Sequence, residues 1–359
     1  EGEDGTGFLN SAVLTSGGWT GEDEACTVPV LPFMDKTALG LEKNIVDGVW
    51  DGTWTATYRL TVTNPARDGQ QVSYTLTDSP AFADGVTIVR QSVTSTAAGL
   101  PDGWDGGWNA GGSVVIADRT TAAAQEVYTV AFTIRLGSDI VPEARECVPV
   151  GDTRTGLGNV GTIATGGTNA SDSDCLPIPD PTISVAKSVI SAERGADGVW
   201  TVVYEVRASN TGDVPVRYTL VDQPKFGQGI TITGASWAQV GALRSGTWVD
   251  LQGAATLADG RELAPLSTDT YRVTVRATVG AGVVGSPAGT CLPGGSTAGG
   301  FLNTVDMSAS GLGESAGACT QPTPAPVPPP ATPMPPTGID GVGSALMFAG
   351  LLSMGGLAL

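Results

Sequence analysis

The sequence predicts an all-β fold built from tandem β-sandwiches. Residues 54–63 alternate apolar and polar side chains, and residues 200–209 repeat this alternation. Strict alternation is typical of half-buried β-strands. Clusters of Gly, Pro, Asn and Asp separate these segments, as expected for turns. No segment before residue 340 has a helical period, so we predict two sandwiches of immunoglobulin type, each of about 140 residues.

The division into repeats rests on residues that recur at one spacing. A residue that keeps its register between diverged copies is a candidate for a specific role. Five such pairs lie 144 residues apart: Lys43 and Lys187, Asp78 and Asp222, Cys147 and Cys291, Asn159 and Asn303, and Cys175 and Cys319.

A partial copy precedes the two repeats. The Asn-x15-Cys spacing found in both repeats also links Asn10 to Cys26. We therefore expect the chain to start partway through one repeat and then to carry two complete ones. The predicted boundaries are 1–32 for the remnant, 33–179 and 180–320 for the repeats, 321–333 for a Pro-rich spacer and 334–359 for a C-terminal segment with a transmembrane helix.

The composition excludes several classes of function. A net charge of −18 disfavours nucleic acid as a partner, because phosphates would be repelled. The absence of His removes the commonest general base and the commonest metal ligand. The sequence has no nucleotide-binding loop, nucleophile–base pair or metal-ligand cluster, so we expect no enzyme, cofactor or metal.

The cysteines predict disulfides and an extracellular setting. Cys147 and Cys175 have the same spacing as Cys291 and Cys319, and paired cysteines indicate an oxidising compartment. The alternative is a set of free buried thiols. Zinc is disfavoured because paired CxxC clusters and His are missing. The partner of Cys26 would lie upstream of residue 1.

The C-terminal residues predict a spacer and a membrane span. Residues 322–336 are dense in proline, which favours an extended polyproline II spacer. Residues 341–359 contain no charged side chain and are long enough to cross a bilayer as a helix.

The motif between spacer and span resembles a known signal. Met334–Gly338 reads MPPTG and, followed by an apolar span, resembles the LPxTG-type sorting signal of Gram-positive surface proteins. Met replaces the usual Leu, and the usual basic tail is absent. The resemblance implies that a sortase cleaves between Thr337 and Gly338 and joins Thr337 to peptidoglycan. A plain membrane anchor is the alternative.

Residues 39–320 resemble the "domain of unknown function 11" repeats of bacterial surface proteins. This resemblance implies immunoglobulin-like stalk modules and no particular ligand. The matching segments are LEKNIV and VAKSVI, TYRLTVTN and VYEVRASNTGD, YTLTDSPAF and YTLVDQPKF, and GNV and LNTV.

Three polar residues of each repeat are predicted to point into its core. Lys43 is in phase with Leu41 and Ile45, and Asp78 continues the apolar face of Leu76. Alternate residues of a strand share a face, and polar groups buried without partners would cost free energy. We therefore expect the three residues of each repeat to meet. The two groups are Lys43, Asp78 and Asn159, and Lys187, Asp222 and Asn303.

A Lys on the first strand, an Asn on the last and an acid between them resemble the intramolecular isopeptide triad of Gram-positive adhesins and pilins. The resemblance implies that Lys and Asn of each repeat join covalently, assisted by Asp. Burial lowers the pKa of the Lys, so that a neutral amine can attack the Asn carboxamide carbon. Burial raises the pKa of the Asp, which can then polarise the amide and shuttle protons. The alternative is a buried Lys–Asp ion pair completed by Asn, which contributes little net stability.

These observations predict a structural stalk of a Gram-positive cell-surface protein, with sortase and peptidoglycan as partners. The first alternative is an adhesin that binds a host glycan or matrix protein, with Trp104 and Trp108 as candidate contacts. The second is a polymerising pilus subunit, which needs a spare lysine such as Lys36 or Lys225.

Overall fold

The computed structural model describes residues 8–27, 31–66, 69–97, 112–148, 155–292 and 298–324. Nearly all regular structure in these ranges is β, which confirms the predicted class. They contain 19 strands and two short 3-10 helices, at Pro142–Ala144 and Pro287–Gly289. The strands are β1 (Phe8–Ser16), β2 (Trp19–Thr27), β3 (Phe33–Val46), β4 (Val49–Thr63), β5 (Val72–Phe82), β6 (Val86–Ser95), β7 (Val114–Thr121), β8 (Gln125–Leu136), β9 (Leu157–Thr165), β10 (Thr168–Leu176), β11 (Ile183–Arg194), β12 (Trp200–Asn210), β13 (Val216–Pro224), β14 (Ile230–Gln239), β15 (Ser245–Thr247), β16 (Ala255–Leu263), β17 (Ser267–Val279), β18 (Asn303–Ala309) and β19 (Leu312–Ala318).

The strands from β3 onward form two modules of matching topology. The first module, β3 to β10, has two antiparallel sheets with the orders β3-β4-β8-β6 and β10-β9-β5-β7. The second module, β11 to β19, has the orders β11-β12-β17-β14-β15 and β16-β13-β18-β19. Counted from the first strand of each module, the strand orders are identical apart from the added β15. The 144-residue spacing therefore reflects a repeated topology.

Each module has one hydrophobic core to which both of its sheets contribute. In the first module, Tyr58 and Phe132 are buried on one sheet and Leu76 on the other. Burial along β5 alternates residue by residue from Val72 to Phe82, as the period of a strand requires. The corresponding buried residues of the second module include Tyr204, Val275, Leu220 and Val305.

The Asn-x15-Cys pattern corresponds to one kind of hairpin. β1 and β2 form a separate two-stranded hairpin, in which Asn10 lies opposite the residue that precedes the cysteine. Asn159 has the same place in the β9–β10 hairpin, and Asn303 in the β18–β19 hairpin. Asn10 is exposed, whereas the other two asparagines are buried.

Several predicted features lie outside the described residues. They are Trp104, Trp108, the sortase site at Thr337 and Gly338, and the span 341–359. Within the described part of the chain, no helix has the length and apolar character needed to cross a membrane.

Candidate cross-linking site

A buried aspartate lies at the centre of each module. Asp78 on β5 and Asp222 on β13 have no exposed surface. Each continues the inward-facing apolar residues of its strand, Tyr74 and Leu76 in the first module. The alternation seen in the sequence therefore placed both carboxyl groups correctly.

In the second module, the three predicted residues come together. The Lys187 ammonium pairs with Asp222, and both side chains are fully buried. Lys187 reaches this point from β11, in the opposite sheet. Asn303 has no exposed surface and lies on β18, which pairs with β13 such that Asn303 is opposite Pro224, two residues from Asp222. Residues offset by two positions on neighbouring strands share a face, so Lys, Asp and Asn meet in the core.

The Asn303 carboxamide is left without hydrogen bonds. Neither its Nδ2 nor its Oδ1 has a partner, and Oδ1 of Asp222 also lacks one. Asn303 nevertheless lies close enough to Asp222 to lower the pKa of that carboxyl, against the larger effect of desolvation. Buried polar atoms without partners are costly, at about 1–3 kcal/mol each. This amide is therefore not held by a saturated hydrogen-bond network.

Burial shifts the pKa of the lysine and the aspartate toward their neutral forms. Desolvation lowers the pKa of Lys187, against the opposing attraction of Asp222. Desolvation likewise raises the pKa of Asp222, against the opposing effect of Lys187. The same directions hold for Asp78 and its lysine in the first module. A neutral amine beside a protonated acid is the state that acyl transfer to the lysine requires.

In the first module, the structure corrects the identity of the lysine. Lys36, and not Lys43, pairs with Asp78, with both side chains fully buried. Nδ2 of Asn159 donates to Oδ2 of Asp78 at 3.1 Å, and Oδ1 of Asn159 has no partner. The first triad is therefore Lys36, Asp78 and Asn159. Because Lys36 is buried, it is not the spare surface lysine that the pilus alternative would need.

A difference in chain length explains why the repeat spacing chose the wrong lysine. β3 shifts its register against β4 between Ala38 and Gly40, and β11 has the corresponding shift against β12 between Val189 and Ser191, so this bulge is common to both modules. Lys36 lies opposite Leu60, two residues after the buried Tyr58. Lys187 likewise lies opposite Val206, two residues after the buried Tyr204. The two lysines are therefore equivalent in position. Lys36 precedes Tyr58 by 22 residues, whereas Lys187 precedes Tyr204 by 17, so the 144-residue spacing does not extend to the first strand.

Lys43 lies at the edge of the first module. Its side chain is 33% exposed and pairs with Asp213 of the second module at 2.5 Å. Its ammonium is also 5.4 Å from the ring centroid of Trp50 and 5.6 Å from that of Trp54. Lys43 does share the inward face, opposite Trp54, but β3 extends past the core at this point.

A tyrosine lies between the lysine and the asparagine strand in both modules. The Lys187 ammonium is 5.4 Å from the ring centroid of Tyr204, and Lys36 is 5.6 Å from that of Tyr58. The Tyr204 hydroxyl donates to the carbonyl of Phe301 at 2.6 Å, two residues before the asparagine. Tyr58 makes the same bond to Leu157. Each ring thus covers the amine while its hydroxyl holds the strand that carries the amide.

A second polar cluster joins the sheets of each module, and the sequence analysis missed it. In the first module, the hydroxyls of Tyr74 and Tyr128 are 2.6 Å apart and Tyr74 also donates to Glu126. In the second, Tyr218 contacts Tyr271 at 2.5 Å and donates to Asp269 at 2.6 Å. Two tyrosines and an acid recur, with 54 residues between the tyrosines in the first module and 53 in the second, and this recurrence was the signal available. Its acids lie at strand ends, however, so the pattern resembled ordinary surface charge.

Both predicted disulfides are present. Cys147 pairs with Cys175, and Cys291 with Cys319, each with Cα atoms 5.8 Å apart and a separation of 28 residues. Each joins the segment before the asparagine strand to the final hairpin. Gly156 lies against the first bond with φ +54°, and a Cβ there would be 2.6 Å from Sγ of Cys175.

Comparisons with known proteins show only remote structural similarity. No protein-family model and no curated protein matches it. Among solved structures, the BSP domain of a biofilm-associated protein is 10% identical, with a TM-score of 0.24 over 80% of this chain and 58% of that chain.

Two further solved structures are similarly remote. Domains D2 and D3 of the major pilin SpaD from Corynebacterium diphtheriae are 12% identical, with a TM-score of 0.23 over 66% of this chain and 80% of theirs. The N-terminal domain of the Streptococcus gordonii adhesin Sgo0707 is 10% identical, with a TM-score of 0.22 over 87% of this chain and 90% of that one. TM-scores this low carry no argument about function.

Proposed function

We propose that the chain is a structural stalk of a Gram-positive cell-surface protein. In this proposal its modules are tandem immunoglobulin-like sandwiches, and each is tied by one disulfide and one Lys–Asn isopeptide bond. The observation that carries the proposal is the repeated burial of a Lys, an Asp and an Asn at one point in both modules.

The chemistry needs only the groups present at each site. The neutral lysine amine attacks the carboxamide carbon of the asparagine, and the protonated aspartate donates to the developing oxyanion. The aspartate then moves a proton from the attacking nitrogen to the departing one. A C–N bond forms to the lysine, the bond to Nδ2 breaks, and Nδ2 leaves as ammonia. The aspartate ends as it began, and no other reactant is consumed.

An ion pair alone explains the arrangement less well. A buried pair contributes little net stability, and well-packed apolar residues of similar volume often replace it without loss. It has nevertheless been kept in both modules, beside an amide whose Oδ1 is unsatisfied in each copy. A covalent product would remove both buried charges and would use the amide.

The proposed bonds suit a stalk because of where they lie. Each joins the first strand of a module to its next-to-last strand, across the two sheets. Force applied to a chain at both ends reaches these terminal strands first. The sequence supports a place for such a stalk outside the cell, because the MPPTG motif resembles a signal for attachment to peptidoglycan by a sortase.

The test is the intact mass of the purified protein, unfolded and reduced. We expect a deficit of two ammonia molecules relative to the sequence. Lys36→Met and Lys187→Met should each abolish one ammonia loss, because each removes one attacking amine.

Lys43→Met is the matched control, since Lys43 touches neither aspartate of the triads. It should leave both ammonia losses in place. A wild-type mass equal to that of the plain sequence would make the triads ordinary polar clusters. Absence of one ammonia loss in Lys43→Met would show that Lys43, the lysine chosen by the repeat spacing, forms the bond of the first module.

A further inference from the structure

We propose that residues 211–215 of the second module, the inter-module loop, supply part of the first module's hydrophobic core. Val214 lies in this loop, between β12 and β13, and has no exposed surface. The buried cluster to which it belongs is nevertheless that of the first module, together with Tyr58 and Phe132. The stability of the first module therefore depends on a residue that the second module presents.

The second module holds the inter-module loop in one conformation. Nδ2 of Asn210 donates to the carbonyls of Val214 at 2.8 Å and Leu263 at 3.2 Å, and its Oδ1 accepts from the amide of Gly212 at 3.0 Å. A Cβ on Gly212 would lie 2.7 Å from the amide nitrogen of Thr182, so the loop also packs tightly on the connector between the modules, residues 177–182. Because the second module already fixes this loop, Val214 can enter the first module's core without the loop having to become ordered when the modules meet.

The connector between the modules is fixed from the other side. Arg145 of the first module is 1% exposed and donates to the carbonyls of Pro179 at 2.8 Å and Ile140 at 3.0 Å. The amide of Ile178 donates to the carbonyl of Arg145 at 2.9 Å. Ile178 is itself buried in the first module's core. Both the connector and the loop thus pack on the same end of the first module.

The contact of the inter-module loop and the connector with the first module, here called the joint, is apolar. Polar contacts surround the joint and favour one orientation of the two modules relative to each other. Asp213 of the loop pairs with Lys43, and Ser138 of the first module donates to Glu262 of the second at 2.9 Å. Exposed pairs of this kind contribute little stability, but they disfavour other arrangements. The adjoining cleft of about 400 Å³ is lined by both carboxylates. Because each already has a partner across the joint, we assign them to the joint and not to a ligand.

The joint is directional. Two residues before the first disulfide cysteine, Cys147, the first module has Arg145, whereas the second module has Gly289 in the same place before Cys291. The second module therefore lacks the side chain that anchors a following connector. The end of the first module that carries Arg145 is therefore suited to hold a module that follows it in the chain, and the second module does not repeat this feature.

The test is hydrogen exchange of the whole protein, read by mass spectrometry on peptides from each module. Val214→Ala and Val214→Asp should accelerate exchange in β4 and β8 of the first module by at least about tenfold, because both remove apolar contacts from its core. If the acid variant fails to fold, the alanine variant still gives the measurement.

Leu243→Asp is the matched control, because Leu243 is fully exposed in the same module. It should leave exchange in β4 and β8 unchanged. Acceleration confined to the second module, or absent in both Val214 variants, would overturn the proposal. The outcome does not depend on the cross-links, whose presence the intact mass reports separately.

Discussion

At the scale of single residues, Lys187 and Asp222 place two ionisable groups in a core that contains almost only apolar side chains. Burial opposes the charge on both, and their mutual attraction only partly offsets it. Removing one partner would leave the other charge buried and uncompensated, which typically costs about 3–5 kcal/mol. The pair is thus costly to break and of small net benefit when intact.

The Lys187→Met variant should show a characteristic pH dependence. Asp222 then stays buried without its cation, so its pKa remains above the usual value of 3.8. A group whose pKa is raised by folding stabilises the folded state below its unfolded pKa, and that contribution is lost as pH rises through the folded pKa. We expect the contribution of Asp222 to the free energy of unfolding to be highest below about pH 4 and to fall with rising pH, by up to about 1.4 kcal/mol per unit.

Urea denaturation across this pH range measures the effect. The control is Lys187→Met combined with Asp222→Asn, which removes the titrating acid and keeps the shape. Parallel pH profiles for the two variants would contradict the assignment of a raised pKa to Asp222.

The second triad was predictable from the sequence, and in the first triad only the lysine was wrong. Alternation placed Asp78, Asp222 and Asn303 correctly. The strands that carry the aspartates, β5 and β13, pair with the asparagine strands β9 and β18 without a register shift. Lys43 was wrong because 22 residues separate Lys36 from Tyr58 in the first module, whereas 17 separate Lys187 from Tyr204 in the second, and a single repeat spacing cannot register an insertion confined to one copy. Val214 was also beyond the sequence analysis, since its burial is created by a neighbouring module.

At the scale of strands, the two modules hold their first strand differently. In the first module, Asp172 and Asp174 of β10 accept hydrogen bonds from the backbone amides of Lys36 and Ala38, each at 2.7 Å. The final strand of the second module, β19, has alanines at the equivalent places, Ala316 and Ala318, which pack against its core. The first strand β3 is thus held by carboxylates in addition to the triad.

Replacing both Asp172 and Asp174 by Ala should lower the free energy of unfolding of the first module by about 1–3 kcal/mol. Hydrogen bonds to charged groups contribute about 1.5–3 kcal/mol each, and partial exposure here reduces that value. Chemical denaturation measures the change. Asn169→Ala, at an exposed site on the same strand, is the control. Equal stability of the two variants would show that the carboxylates do not hold β3.

Strands and hairpins were the most predictable elements. Alternation identified β4 and β12, and the Asn-x15-Cys spacing corresponds to a hairpin in which Asn faces the residue before Cys. The strand order within each sheet did not follow from the sequence, because period-two patterning sets which face is buried and not which strands are neighbours. The predicted place of Asn on the last strand was wrong by one strand, since β10 and β19 follow.

At the scale of the whole molecule, the proposed bonds change how the chain responds to force. With both bonds formed, a chain pulled from its ends should extend without releasing the residues between Lys36 and Asn159 or between Lys187 and Asn303. Lys187→Met should restore one unfolding step, from the second module only. Single-molecule force spectroscopy measures these steps, and identical traces for the variant and the wild type would contradict the proposed path of force.

The place of the asparagine in each module also sets an order of events. Chains are made from the N-terminus, so Lys187 is synthesised long before Asn303. In the proposed chemistry, the lysine therefore cannot react before β18 has joined its sheet. The bond forms only in a module that is almost completely folded. A module that stops folding before β18 is in place keeps a backbone without the cross-link, and such a module is easier for proteases to cleave than its cross-linked neighbours.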